Sequence, residues 1–226
     1  LNLKNIAENL LDTFIEAGSV AKKRSKDGVK ITIKDDNSPV TNGDIAVDKM
    51  LRQKISTLTE DIPIISEETV DLKVKNVNKN FWLIDPIDGT KDYINNKDEF
   101  TLNAALIINK KPLIGIISAP AKKRIFYSYG VSNSYELIDN NEISLINKKK
   151  NTNGIKAVSY SNELKPEIKD IHKRYKVSSH QKMKSSLKFC VIATGEFDLY
   201  VAEPRACEWD IAACLLYTSP SPRDGL

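Results

Sequence analysis

Two stretches of the sequence end in closely spaced carboxylates after short apolar runs. They are Ile64-Ile65-Ser66-Glu67-Glu68 and Trp82-Leu83-Ile84-Asp85-Pro86-Ile87-Asp88-Gly89-Thr90. A carboxylate just past a buried strand stands at the rim of a sheet on a rigid support, where several can converge. Converging carboxylates repel one another unless protonated or neutralised, so the pattern asks for a cation. Hard oxygen donors without His or Cys among them favour Mg²⁺ over zinc. Pro86 stiffens the turn between Asp85 and Asp88, and Gly89 lets backbone N–H groups approach a phosphate. Taken singly, each motif has a plainer reading: a solvated strand-end pair for Glu67-Glu68, an Asx turn for Asp85 to Thr90.

Other chemistries are excluded. Asn96 falls where an EF-hand loop beginning at Asp85 would need a bidentate Glu. No GxxxxGK[ST] or GxSxG occurs, against a P-loop and a serine hydrolase. Cys190, Cys207 and Cys214 lack CxxC spacing, and His172 and His180, the only histidines, lie far from any such pair, so no zinc site is expected. With 34 Lys+Arg against 30 Asp+Glu the net charge is +4, too mild for a dedicated nucleic-acid binder. A hydrophobic content of 41% with 28% charged residues over 226 residues fits a soluble globular chain of one large domain or two small ones. No run approaches the roughly 18 to 20 apolar residues of a membrane span, and the opening LNLKNIAENL has no signal pattern. A cytoplasmic protein without a transmembrane segment is expected, with peripheral membrane association left open.

The elements that must position these residues follow from periodicity. Leu3, Ile6, Ala7, Leu10, Leu11 and Phe14 recur at helical spacing and predict an amphipathic first helix. The basic stretch Lys22 to Lys30, the alternation Val29, Ile31, Ile33 and the turn-like Asp35 to Pro39 predict a hairpin or loop. Thr41-Asn42-Gly43-Asp44 has the form of a capping box, and Val47, Met50, Leu51, Ile55 and Leu58 continue a second helix from near Asp44. Strands are predicted at Ile62 to Ile65, Phe81 to Ile84, Asn103 to Ile108, Leu113 to Ser118 and Ile125 to Tyr129. The polar segment Val131 to Asn153 reads as a surface excursion or a join, and a boundary is placed near residue 150. Beyond it, strands are predicted at Ile155 to Ser159 and Phe197 to Val201. Helices are predicted at Glu163 to Tyr175, at Ser186 to Ala193 and from Trp209. Helices followed by a run of strands predict a layered α+β sandwich.

WLIDPIDGT, preceded by Ser66-Glu67-Glu68 and followed by Trp209-Asp210, resembles the metal-dependent, lithium-sensitive inositol monophosphatase superfamily. Within it, three segments resemble the 3′(2′),5′-bisphosphate nucleotidases of the bacterial sulfur-assimilation type. They are Asn37-Ser38-Pro39-Val40-Thr41, Gly89 to Ile94 with Glu99-Phe100-Thr101, and above all Ser185-Ser186-Leu187-Lys188-Phe189-Cys190. The resemblance runs from about Leu3 to Ala213. It implies metal ligands at Glu67, Asp85, the Ile87 carbonyl, Asp88 and Asp210. It implies that Asp44 and Thr90 position and deprotonate the attacking water, with Glu68 supporting the ligands. It further implies that Glu67, Ile87, Asp88 and Asp210 face the substrate, that the amides of Gly89 and Thr90 hold the departing phosphate, and that Ser185 and Lys188 lie near the nucleotide and its other phosphate. His180 and Arg205 are weaker matches.

The implied activity is Mg²⁺-dependent hydrolysis of the 3′-phosphate of adenosine 3′,5′-bisphosphate to AMP and phosphate, with two or three ions activating water and no covalent intermediate. An inositol monophosphatase, or an inactive metal- or anion-binding module, are the alternatives. Residues 165 to 188 hold eight basic residues (Lys165, Lys169, Lys173, Arg174, Lys176, Lys182, Lys184, Lys188) against Glu167 and Asp170, an attraction for an anionic substrate or a solvated helix face.

The family pattern after Trp209-Asp210 continues as a helix and further strands. Ile211-Ala212-Ala213 begin that helix, but Pro220 and Pro222 cannot continue it. The expected division is therefore a metal- and phosphate-binding part over 1–150, an incomplete α/β part over 151–213, and a non-native tail over 214–226. The opening on Leu1 rather than Met fits a gene fragment.

Overall fold

The computed structural model describes residues 1–34, 37–70, 78–130, 133–139, 141–145, 154–202 and 207–214. Helix α1 (Leu3–Asp27) starts at Asn2, whose side chain accepts the Asn5 N–H, and buries Ile6, Leu10, Phe14, Ala17 and Ala21 along one stripe. The helix runs further than its apolar stripe predicts. Lys22 to Asp27, expected in a loop, are helical, because Lys and Arg are good helix formers and Arg24 and Lys26 complement the negative end of the helix dipole. The hairpin follows as β1 (Ile31–Ile33) against β2 (Pro39–Thr41), with Ile31 opposite Thr41. Thr41 then caps α2 (Asn42–Leu58) in the expected capping box with Asp44.

A seven-stranded sheet forms the middle layer. Its order is β3 (Ile64–Ser66), β4 (Phe81–Asp88), β5 (Thr101–Ile108), β6 (Lys111–Ala119), β7 (Arg124–Tyr129), β8 (Ser134–Ile138), β9 (Asn141–Ser144); a short helix α3 (Thr90–Ile94) follows β4. Only β3 and β4 pair in parallel. Alternation along the strands divides the side chains between two faces. Trp82, Ile84, Leu102, Ala104, Ile114 and Ile116 pack against α1 and α2. Leu83, Ala105, Ile117 and Phe126 pack on the other side against Val158, Leu187, Cys190, Val191 and the turn Ala212–Cys214.

That second side carries a three-stranded parallel sheet, with β10 (Ile155–Ser159) between β11 (Val177–Lys182) and β12 (Leu199–Tyr200). It also carries α4 (Pro166–Arg174), α5 (Leu187–Ala193) and α6 (Glu208–Ile211). The predicted layered α+β sandwich is the observed architecture. Among the described residues, no helix is long and apolar enough to cross a membrane.

Two strands lie inside the segment read as a polar excursion. In β8 the buried positions are Ser134 and Glu136, and Glu136 is buried because Arg124 Nε donates to it at 2.5 Å. A strand whose inward face is a serine and an ion-paired glutamate has no apolar alternation to reveal it. β9 is exposed throughout. Strand β11 was also unpredicted, since its residues are exposed but for Val177. Of the tail expected to be foreign, Cys214 is buried on the sheet, and residues 215–226 lie outside the described residues. There the Ala213 carbonyl sits so close to β6 that a Cβ on Gly115 would stand 2.1 Å from it.

Candidate active site

The acidic residues meet where the middle strands run out. Strand β4 pairs with β5 as far as Asp85 opposite Asn103, loses register, and resumes at Asp88 opposite Thr101. Pro86, which has no N–H to donate, falls in that irregularity, the position a central strand tolerates. The break lets Asp85 and Asp88 turn to one side. Gly89 follows with φ 94° and ψ 32°, and a Cβ there would stand 2.9 Å from the Glu99 carbonyl oxygen, so the turn opening α3 requires glycine on both counts. Glu67, delivered by β3, donates its N–H to the Ile84 carbonyl at 3.0 Å. Asp210 arrives on α6, where its Oδ2 accepts the Cys207 N–H at 2.7 Å.

Carboxylate oxygens of Asp85, Asp88 and Asp210 lie within 4.8 Å of one another, and Glu67 is near enough to Asp85 to raise its pKa. Asp85 is 1% exposed and its Oδ1 has no partner. Burial, with repulsion from Asp88, Glu67 and Asp210, holds its carboxyl well above the usual range. Asp210 is pushed up to about 6, by burial first and then by Asp88, against the Cys207 N–H that holds it down. A mutually repelling oxygen set, half-exposed at Asp88 and Asp210 and buried with an unpartnered oxygen at Asp85, fits a divalent cation.

Asp44 is also buried. Its Oδ2 accepts the Thr41 N–H at 2.8 Å and a short hydrogen bond from the Thr41 hydroxyl, while Oδ1 is unpartnered. Burial pushes it up to about 6 despite those bonds. The Thr90 hydroxyl donates to the Ile87 carbonyl at 3.0 Å, so the described residues show no hydrogen bond between Thr90 and Asp44. Glu68 is pushed up to about 7 by burial, against the pull of Lys34 at 2.7 Å. Lys34 also lies 3.8 Å from Glu67. Sequence reading passed over this lysine, because only the hairpin brings it to acids more than thirty residues away.

A cleft of 770 Å³ opens above these groups, and Glu67, Asp88, Gly89, Thr90 and Asp210 line it. Lys91, Lys184, Ser185, Lys188, Phe189 and Tyr200 line it as well. Lys188 Nζ donates to the Ser185 carbonyl in a short bond and lies 5.7 Å from the ring centres of Phe189 and Tyr200, which meet edge to face. Ser185 is buried at φ 52° with its hydroxyl unpartnered. Of the eight basic residues counted between 165 and 188, Lys184 and Lys188 reach the cleft. His180 packs on His172 and its Nε2–H donates to the Asn162 carbonyl at 3.2 Å, and it is not among the cleft residues; Arg205 lies outside the described residues.

The chain is similar to known proteins over nearly its whole length. A model of the inositol monophosphatase family matches residues 2–216. The 3′(2′),5′-bisphosphate nucleotidase CysQ of Salmonella typhimurium is 35% identical over 210 residues, covering 92% of this chain and 82% of that protein. The crystal structure of CysQ from Bacteroides thetaiotaomicron superposes with a TM-score of 0.72 at 28% identity, covering 94% of this chain and 84% of that one. A staphylococcal inositol monophosphatase in complex with products shares the fold at a TM-score of 0.77 and 17% identity, covering 96% of this chain and 81% of that one.

Proposed function

Because the chain belongs to the inositol monophosphatase family, whose members are metal-dependent phosphatases, we propose that it hydrolyses the 3′-phosphate of adenosine 3′,5′-bisphosphate in the cytoplasm, yielding AMP and phosphate. The observation that carries the reading is the convergence of Asp85, Asp88 and Asp210 beneath a cleft whose lining also holds lysines and aromatic rings. The name of the Salmonella relative supports the nucleotide, and these lysines and rings suit a second phosphate and a base.

Glu67, Asp85, the Ile87 carbonyl, Asp88 and Asp210 would hold two or three Mg²⁺ ions, which supply a more acidic water and neutralise charge on the phosphoryl group and the leaving oxygen. Asp44, with its raised affinity for a proton, takes the proton from the attacking water near neutral pH. Thr90, anchored through the Ile87 carbonyl, orients that water. The amides of Gly89 and Thr90 hold the departing phosphate at the floor of the cleft they line. Ser185 and Lys188 hold the nucleotide side, and Glu68 with Lys34 steadies Glu67 from behind. The parts proposed over 1–150 and 151–213 both contribute to the cleft; the seven-stranded sheet precedes the boundary and the three-stranded sheet follows it.

The test is a phosphate-release panel with Mg²⁺ over adenosine 3′,5′-bisphosphate, inositol monophosphate and fructose bisphosphate. Greatest kcat/KM on the adenosine compound, abolished by excess EDTA, is expected. Preference for inositol phosphate would move the assignment to that substrate, and undiminished release in EDTA would sink the metal mechanism.

A further inference from the structure

We propose that Ser186 is a positioning residue for the metal-holding carboxylates, its hydroxyl fixing the spacing between Asp88 and Asp210. The proposal rests on the metal-dependent reading above.

Ser186 stands immediately before α5, where a serine ordinarily accepts an N–H from the first turn of its own helix. Here it makes no such cap. Its hydroxyl, fully buried, points across the molecule instead: Oγ lies 2.7 Å from Asp88 Oδ2 and 2.8 Å from the Asp210 carbonyl oxygen. It accepts from Asn103 Nδ2 at 3.0 Å. The Ser186 N–H reaches the Thr101 hydroxyl at 3.3 Å, and Thr101 is the residue opposite Asp88 in the sheet. One side chain thereby touches β4, β5 and α6.

The proton count gives these contacts a direction. Asn103 fills one lone pair of the hydroxyl, so its single proton goes to Asp88 or to the Asp210 carbonyl, and the bond to the charged acceptor is the stronger. Asp88 and Asp210 come from segments more than a hundred residues apart and repel each other. An ammonium placed between them would compete with a cation for the same oxygens. A neutral hydroxyl lies against the side chain of one acid and the backbone of the other, and can give its one proton to either without adding charge between them. Local pattern hides this role, because a serine opening a helix reads as a cap.

The experiment measures binding of Mn²⁺ alone to the full chain, by the electron paramagnetic resonance signal of the free ion. It compares wild type, Ser186→Ala and the matched-shape pair Ser186→Thr and Ser186→Val, with melting in EDTA followed alongside. Groups that orient metal ligands typically contribute about 10- to 100-fold in affinity. Ser186→Ala and Ser186→Val should therefore bind about ten-fold or more weakly, and Ser186→Thr should stay close to wild type. Wild-type affinity in Ser186→Ala, or equal affinity in the Thr and Val chains, would overturn the proposal. If Ser186→Ala does not fold, the Thr/Val comparison decides. A wild-type chain that binds no Mn²⁺ would instead overturn the metal reading, and this proposal with it.

Discussion

Replacing Asp44 by Asn separates what that carboxylate does for the fold from what it does in the proposed reaction. In the metal-free protein Asp44 is buried, 1% exposed, and its pKa is pushed up from 3.8 to about 6. A carboxyl whose folded pKa lies above its unfolded one is a destabilising group once ionised. The unfolded chain releases the proton first, so stability falls as pH rises from about 4 and levels off above about 6. At about 1.4 kcal/mol per unit, the two-unit shift corresponds to about 3 kcal/mol of stability present at low pH and absent at pH 8. Asn keeps an oxygen able to accept the Thr41 N–H and carries no charge. In urea denaturation with EDTA from pH 4 to pH 8, Asp44→Asn should therefore gain about 3 kcal/mol relative to wild type across that range. Parallel pH profiles for the two proteins would refute the account of Asp44 as a desolvated carboxylate. With Mg²⁺ and substrate, the same variant should lose about 100-fold or more in kcat while its Mn²⁺ affinity stays near wild type, and an undiminished kcat would remove Asp44 from the reaction.

Two further substitutions probe the turn that carries the acids. Asp88→Asn removes one charge from the cluster with Asp85 and Asp210, so turnover should fall to background in the phosphate-release assay while the melting temperature in EDTA holds or rises; a working Asp88→Asn enzyme would displace Asp88 from the ligand set. Gly89→Ala forces a Cβ into a left-handed residue and against the Glu99 carbonyl, so about 2 kcal/mol or more of stability should be lost, read by denaturant midpoint, and an unchanged midpoint would contradict the turn geometry.

The parts of this protein legible in the sequence are those whose signal is local. The stripe from Leu3 to Phe14, the Thr41–Asp44 capping box and the apolar runs that became β4 to β7 depend on neighbours a few residues away, and they fold as their spacing predicts. The acids just after β3 and at the end of β4 were readable because a strand carries its terminal residues to a sheet rim whatever the rest of the chain does. Tertiary structure alone decided the rest, since it depends on groups distant in sequence. Arg124 makes Glu136 buriable and so makes β8 a strand; the hairpin swings Lys34 onto Glu67 and Glu68. The packing of α5 against the large sheet turns the Ser186 hydroxyl from its own helix to Asp88 and Asp210. A charge or hydroxyl is buried only when a partner arrives to satisfy it, and no local pattern names a partner that folding brings from a hundred residues away.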